Sequence, residues 1–133
     1  RVDGQPSSQR QWRFLSWLML FRLKKPTTKI RASKSALNQL ARVAALEWGA
    51  DGIRVNTLHP DAVFDTGIWT DDVIASRAKQ YGMSVDEYKT KNILKTEIGS
   101  RDVAQLVVEL CSPVFAKTTG AQIPIDGGND RVI

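Results

Sequence analysis

Residues 33–52 constrain this chain more than any other stretch. Leu37, Leu40, Ala41, Ala44 and Trp48 recur at helical spacing, and Ala36, Val43 and Leu46 add a second apolar strip on another side. Gly49 supplies a helix stop, and Asp51-Gly52 a turn. The run Ile53-Arg54-Val55-Asn56-Thr57-Leu58, ended by Pro60, then reads as a short buried strand. A helix, a tight turn and a strand make half of a βαβ unit, so the predicted class is α/β with a parallel sheet. A helix apolar on two sides needs two partners: its own sheet and a neighbouring subunit.

Beyond the strand, residues 61–65 read as an irregular connection followed by two short helices. Thr70 with Asp71 and Asp72 starts the first, which ends near Gly82, and Ser84-Val85-Asp86-Glu87 is a capping box for the second. Following a strand's carboxyl end, this pair lies where an α/β sheet places its ligand and a lid. Ser100 is expected to cap another helix, with Val103, Leu106, Val107 and Leu110 on one face. Thr119-Gly120 then turns into a short strand that leaves through Asp126-Gly127-Gly128.

The formal charge of +5 is unevenly spread. Residues 1–34 carry nine Lys/Arg against one acidic residue, Asp3, whereas residues 35–133 carry ten Lys/Arg against thirteen Asp/Glu. The globular part is therefore mildly acidic, which speaks against a nucleic-acid partner. Cys111 is the single cysteine and cannot form an internal disulfide. His59 is the only histidine, so no metal site is expected, and it reads as a pocket-lining or loop residue.

The first thirty residues differ from the rest. Their apolar run, residues 14–21, is too short to span a bilayer, which takes about 20 residues. It would be apolar on all sides as a helix, which argues against a surface anchor, and no small-residue cleavage site follows it. Residues 1–30 are read as an unassigned, basic, non-homologous segment, produced by a frameshift or a fusion, and residues 31–133 as one domain. With 133 residues and no initial methionine, the chain is read as a fragment. Nothing indicates a membrane partner.

Four elements in order carry a family resemblance: Ala32-Ser33-Lys34 opening a helix, Gly52-Ile53-Arg54-Val55-Asn56, Arg101-Asp102-Val103-Ala104, and Thr119-Gly120 followed by Asp126-Gly127-Gly128. Together they resemble the C-terminal portion of a short-chain dehydrogenase/reductase. That implies the C-terminal fragment of a Rossmann-like doubly wound parallel sheet. Residues 58–69 and 117–124 are similar to one subgroup in particular, the dehydrogenase domain of bifunctional rhamnulose-1-phosphate aldolase/short-chain dehydrogenases.

The resemblance implies an NAD- or NADP-dependent oxidoreductase, cytoplasmic and homo-oligomeric when complete, acting on a small hydroxy or aldehyde substrate such as lactaldehyde. In that family a tyrosine one helical turn before the lysine works as general acid or base, and the lysine lowers its pKa and binds the nicotinamide ribose. Lys34 matches the lysine, while Ile30 stands where the tyrosine belongs. The family's serine has no identified counterpart in residues 1–29. A glycine-rich pyrophosphate turn is missing too, Gly4 being the only glycine there. Pro60 and Thr66 match the loop that contacts the carboxamide, with Asp61 in place of the usual glycine and one residue more than the common spacing. The catalytic assignment is therefore Lys34 alone, and the cofactor-binding assignment Lys34, Pro60 and Thr66. This chain alone is expected to be inactive. The alternative is a non-catalytic remnant that self-associates through helix 33–48.

Overall fold

The expected buried strand is β2 (Arg54–Pro60), the middle strand of a three-stranded sheet. Our computed structural model describes residues 13–17 and 28–129. β1 (Arg13–Trp17) pairs with one edge of β2, Ser16 opposite Thr57, and β3 (Gln122–Ile125) pairs with the other, Gln122 also opposite Thr57. Both pairings are parallel. Residues 55–58 and 60 of β2 are all buried, as a central strand covered on both faces requires.

β1 lies inside the head to which the sequence assigns no element. The remainder of that head, residues 1–12 and 18–27, and with it the frameshift, fusion and targeting readings, falls outside the described residues.

α1 (Thr28–Trp48) begins five residues before the expected start at Ser33, so it runs across the compositional break. Lys29, Ile30 and Arg31 are tolerable helix formers, and propensity is indifferent to the origin of the residues. The two apolar strips also divide differently from expectation. Ala41, Ala44 and Ala45 pack on Val55, with Ile53 against them, whereas Leu40 and Leu46 are 63% and 82% exposed and Leu37 and Val43 are also exposed. Small side chains let the helix backbone settle close to the strand, and the larger ones are left on the outer side. A 3₁₀ turn, residues 49–51, then ends at Gly52 in the left-handed region (φ +74°), and Ile53 N–H donates to Trp48 O at 3.2 Å. This reverses the chain directly into β2.

Side chains alternate across a strand, so Arg54 and Asn56 point away from α1. There α4 (Ser100–Leu110) ends, and Arg54 Nη2 donates to Leu110 O at 2.8 Å, satisfying a carbonyl left open at the helix end. Asn56 is buried with both amide functions engaged: Nδ2 donates to Thr118 O at 3.0 Å and Oδ1 accepts from Ala121 N–H at 3.1 Å. Helical elements therefore flank both faces of a parallel sheet, which is the doubly wound arrangement.

Gly99 is the residue that caps α4, not Ser100 as the sequence pattern suggested. Asp102 reaches back to Gly99 N–H at 2.8 Å, and Ser100 becomes the first helical residue. A carboxylate from the loop after β2 takes the Ser100 groups instead, a contact between residues 35 positions apart.

The helical pair forms as expected. α2 (Asp71–Tyr81) is capped by Thr70 and closed by Gly82, and α3 (Val85–Lys89) opens on the complete Ser84/Glu87 capping box. The Ser84 hydrogen bonds hold the Glu87 carboxyl below its ordinary pKa. Phe64, Ile74, Ala78 and Tyr88 give the pair a small core of its own, and Trp69 packs against it. Lys91 Nζ sits 4.9 Å from the ring centres of both Tyr81 and Tyr88, clipping the outer side by cation–π attraction.

Candidate functional site at the carboxyl edge of the sheet

Parallel strands deliver their ligands at their carboxyl ends, and β2 reaches that edge at Pro60. Pro60 is fully buried and pairs with Ile125 of β3. The next residue turns the chain. Asp61 N–H donates to Ile125 O at 3.3 Å, Asp61 Oδ1 accepts from Ala62 N–H at 2.9 Å, and Asp61 Oδ2 accepts from Asn129 Nδ2 at 2.6 Å. Ala62 follows with φ +53°, a conformation that side chains rarely adopt and that the Asp61 carboxylate holds in place. The departure from glycine at position 61 thus has a structural use: the side chain ties the exit of β2 to the turn after β3.

The loop then runs alongside the segment before α4. Val63 forms a parallel bridge with Ile98, and Phe64 N–H donates to Ile98 O at 3.2 Å. Val63, Ile98 and Val103 make a third apolar cluster, with Ile125 against it. Asp65 accepts from Ser100 N–H at 2.8 and 3.0 Å and from Ser100 Oγ at 2.6 Å. Those hydrogen bonds, the hydroxyl first and the amide second, hold the Asp65 carboxyl below its ordinary pKa. Thr66 is half-buried; its Oγ1 donates to Val63 O at 2.9 Å, and its carbonyl accepts from Trp69 N–H at 2.9 Å. With the hydroxyl proton committed inward, the oxygen lone pairs of Thr66 are left to accept.

Lys34 lies on the row Lys34, Asn38, Ala41, Ala45, which faces the sheet, and is half-buried. Asn38 Nδ2 donates to Gln122 Oε1 at 3.4 Å, which sets Asn38 level with Thr57, the β2 partner of Gln122. Among the described residues Lys34 is paired with no carboxylate.

Pro60 ends β2 and Thr66 stands in the loop that follows it, while Lys34 lies on the sheet-facing row of α1. Ile30 stands one turn before Lys34 in α1; its side chain is outside the described residues. Two participants escaped the sequence: Asp65, whose partner Ser100 is distant in the chain, and β1, which sets Ser16 beside Thr57. Among the described residues no three metal-ligating side chains meet, and no helix is long and apolar enough to cross a membrane.

The family model described as enoyl-(acyl carrier protein) reductase matches residues 23–130. An uncharacterised oxidoreductase of Bacillus subtilis is 37% identical over 100 residues, 71% of this chain and 14% of that protein. A short-chain dehydrogenase family protein of Francisella tularensis superposes with a TM-score of 0.64 at 32% identity, over 84% of this chain and 47% of that one. A metagenomic blue fluorescent protein, solved in complex with NADPH, matches at 30% identity and a TM-score of 0.66, over 87% of this chain and 44% of that one. The chain spans less than half the length of each of these relatives. The parallel sheet, the order of its elements and these matches agree: the chain belongs to the short-chain dehydrogenase/reductase family.

Proposed function

We propose that this chain carries the nicotinamide side of an NAD- or NADP-dependent oxidoreductase that acts on a small hydroxy or aldehyde substrate. The observation that supports the reading is the loop after β2, where Pro60 ends the central strand and the Thr66 hydroxyl donates to Val63 O, leaving its lone pairs to accept; Lys34 joins it by the family pattern. When bound, the nicotinamide cofactor supplies the hydride. Lys34, which has no carboxylate partner among the described residues, offers its ammonium to the ribose hydroxyls, Thr66 Oγ1 accepts from the carboxamide N–H, and Pro60 fixes where the loop leaves the sheet. Ile30 holds no titratable proton, and residues 1–30 contain no glycine-rich turn for the pyrophosphate. The 133-residue chain is therefore inactive by itself.

Lactaldehyde is the proposed substrate. The proposed setting is cytoplasmic and homo-oligomeric, with no nucleic-acid or membrane partner. Sequencing the coding DNA upstream of codon 31 and translating all three frames tests the reading. A tyrosine four residues before Lys34 with a glycine-rich turn upstream, and saturable quenching of NADH by the product of that complete coding region, are expected. Absence of both features in every frame rejects it.

A second reading is favoured by the exposed strip Leu37, Leu40, Val43 and Leu46: a non-catalytic remnant that self-associates through α1. It requires a discrete dimer of this chain in sedimentation with no affinity for NADH.

A further inference from the structure

We propose that Asp65 is a positioning residue that sets the height of Thr66 above the sheet edge. This rests on the reading of Thr66 as the group that receives the nicotinamide carboxamide. Thr66 is followed by Gly67, where among the described residues no atom would meet an added Cβ within 4 Å, so the loop is open at that position. The near side decides where Thr66 stands. There, three successive residues are fastened to one neighbouring segment: Val63 by its bridge to Ile98, Phe64 by its N–H to Ile98 O, and Asp65 by its carboxylate to Ser100.

The last of these differs in kind. The backbone leaves the ladder at residues 64 and 65 to turn, and the Asp65 side chain replaces the lost rung with three contacts of 2.6–3.0 Å to one residue. Its anchor is firm, because Ser100 begins an eleven-residue helix whose own start is fastened by Asp102 to Gly99 N–H. Both carboxylate oxygens are engaged, so Asp65 acts through Thr66 and does not itself face a ligand. Charge-assisted hydrogen bonds of this length are about twice as strong as neutral ones, which suits a fixed strut.

The test is made on the product of the complete coding region, with NADH quenching and steady-state kinetics. Asp65→Ala is expected to weaken NADH binding about tenfold and raise its KM alike, with kcat changed less than about twofold, because a small displacement of one positioning contact is costly. Asp65→Asn keeps an acceptor for Ser100 N–H, and the Ser100 hydroxyl can reverse to accept from the new amide, so binding recovers to within about threefold. In the same variants, amide exchange at Trp69, whose N–H is held by Thr66 O, accelerates in Asp65→Ala and stays slow in Asp65→Asn. Parent-like NADH affinity in Asp65→Ala overturns the inference alone, as does a loss in Asp65→Asn as deep as in Asp65→Ala. A parent protein that binds no NADH rejects the nicotinamide reading itself, and this inference with it.

Discussion

Asn92 lies directly beneath Gly127: a Cβ on that glycine would stand 2.6 Å from the Asn92 Cγ. The asparagine cannot retreat, since it is buried with Nδ2 donating to Thr96 O at 2.6 Å and Oδ1 accepting from Thr96 N–H at 3.1 Å. Leu94 N–H also donates to Gly127 O at 3.0 Å, so the turn after β3 is sealed onto the segment leaving α3. The backbone of Gly127 is left-handed as well (φ +62°). Gly127→Ala is therefore expected to destabilise the fold by about 1–3 kcal/mol, combining backbone strain with displacement of a buried amide. The urea midpoint of the folded protein reads this out; an unchanged midpoint refutes the packing account.

Burial separates two leucines that composition treats alike. Leu58 is 0% exposed and Leu46 82% exposed. Leu58→Ala should cost about 2–5 kcal/mol, whereas Leu46→Ala should stay within about 0.5 kcal/mol of the parent. Equal midpoints for the two variants in denaturant titrations would contradict the assignment of β2 as the central strand.

The proposed self-association through α1 is tested on its exposed outer strip. Leu40→Glu with Leu46→Glu places two charges on it and is expected to shift the sedimentation profile from associated species toward monomer without lowering helix content by circular dichroism. Persistence of large species after the double substitution assigns the association to another surface.

The clamp between the loop after β2 and α4 should resist mild acid. Asp65 has a folded-state pKa lowered by the Ser100 hydroxyl and amide, so its contribution is present above the unfolded carboxylate value of about 3.9 and is lost as pH falls through the lower folded value. Amide exchange at Ser100 is expected to be flat from pH 7 to about pH 5, once corrected for intrinsic rates, and to show added opening only below about pH 4. Opening that begins near pH 6 excludes Asp65 as the titrating group.

Restoring the missing hydroxyl alone is not expected to restore function. Ile30→Tyr in the 133-residue chain should give no saturable NADH binding, because residues 1–30 still lack a turn for the pyrophosphate. Fluorescence titration up to millimolar NADH checks this, and tight binding by either chain sinks the claim of inactivity.

Local chemistry was legible from the residues alone. The apolar rhythm of α1, the stop at Gly49 and Gly52, the buried run of β2, the Thr70 and Ser84 caps and the glycine exit after β3 all follow from interactions spanning four residues or fewer, or from one residue's backbone preference. That Ile30 carries no titratable proton was equally plain, because side-chain identity alone decides titratability. What required the fold was every contact between distant segments. Which apolar strip of α1 faces β2 depends on how closely two backbones approach, so the alanines won over the leucines. Gly99 rather than Ser100 caps α4 because Asp65, 35 residues away, supplies the competing acceptor. Likewise Arg13–Trp17 pairs with β2 because a parallel strand's partner is chosen by sheet register, which no short window of sequence encodes. Composition and spacing determined the elements and the family pattern, whereas long-range hydrogen bonding and steric fit decided their faces, their neighbours and the geometry of the loop that carries Thr66 past the end of β2.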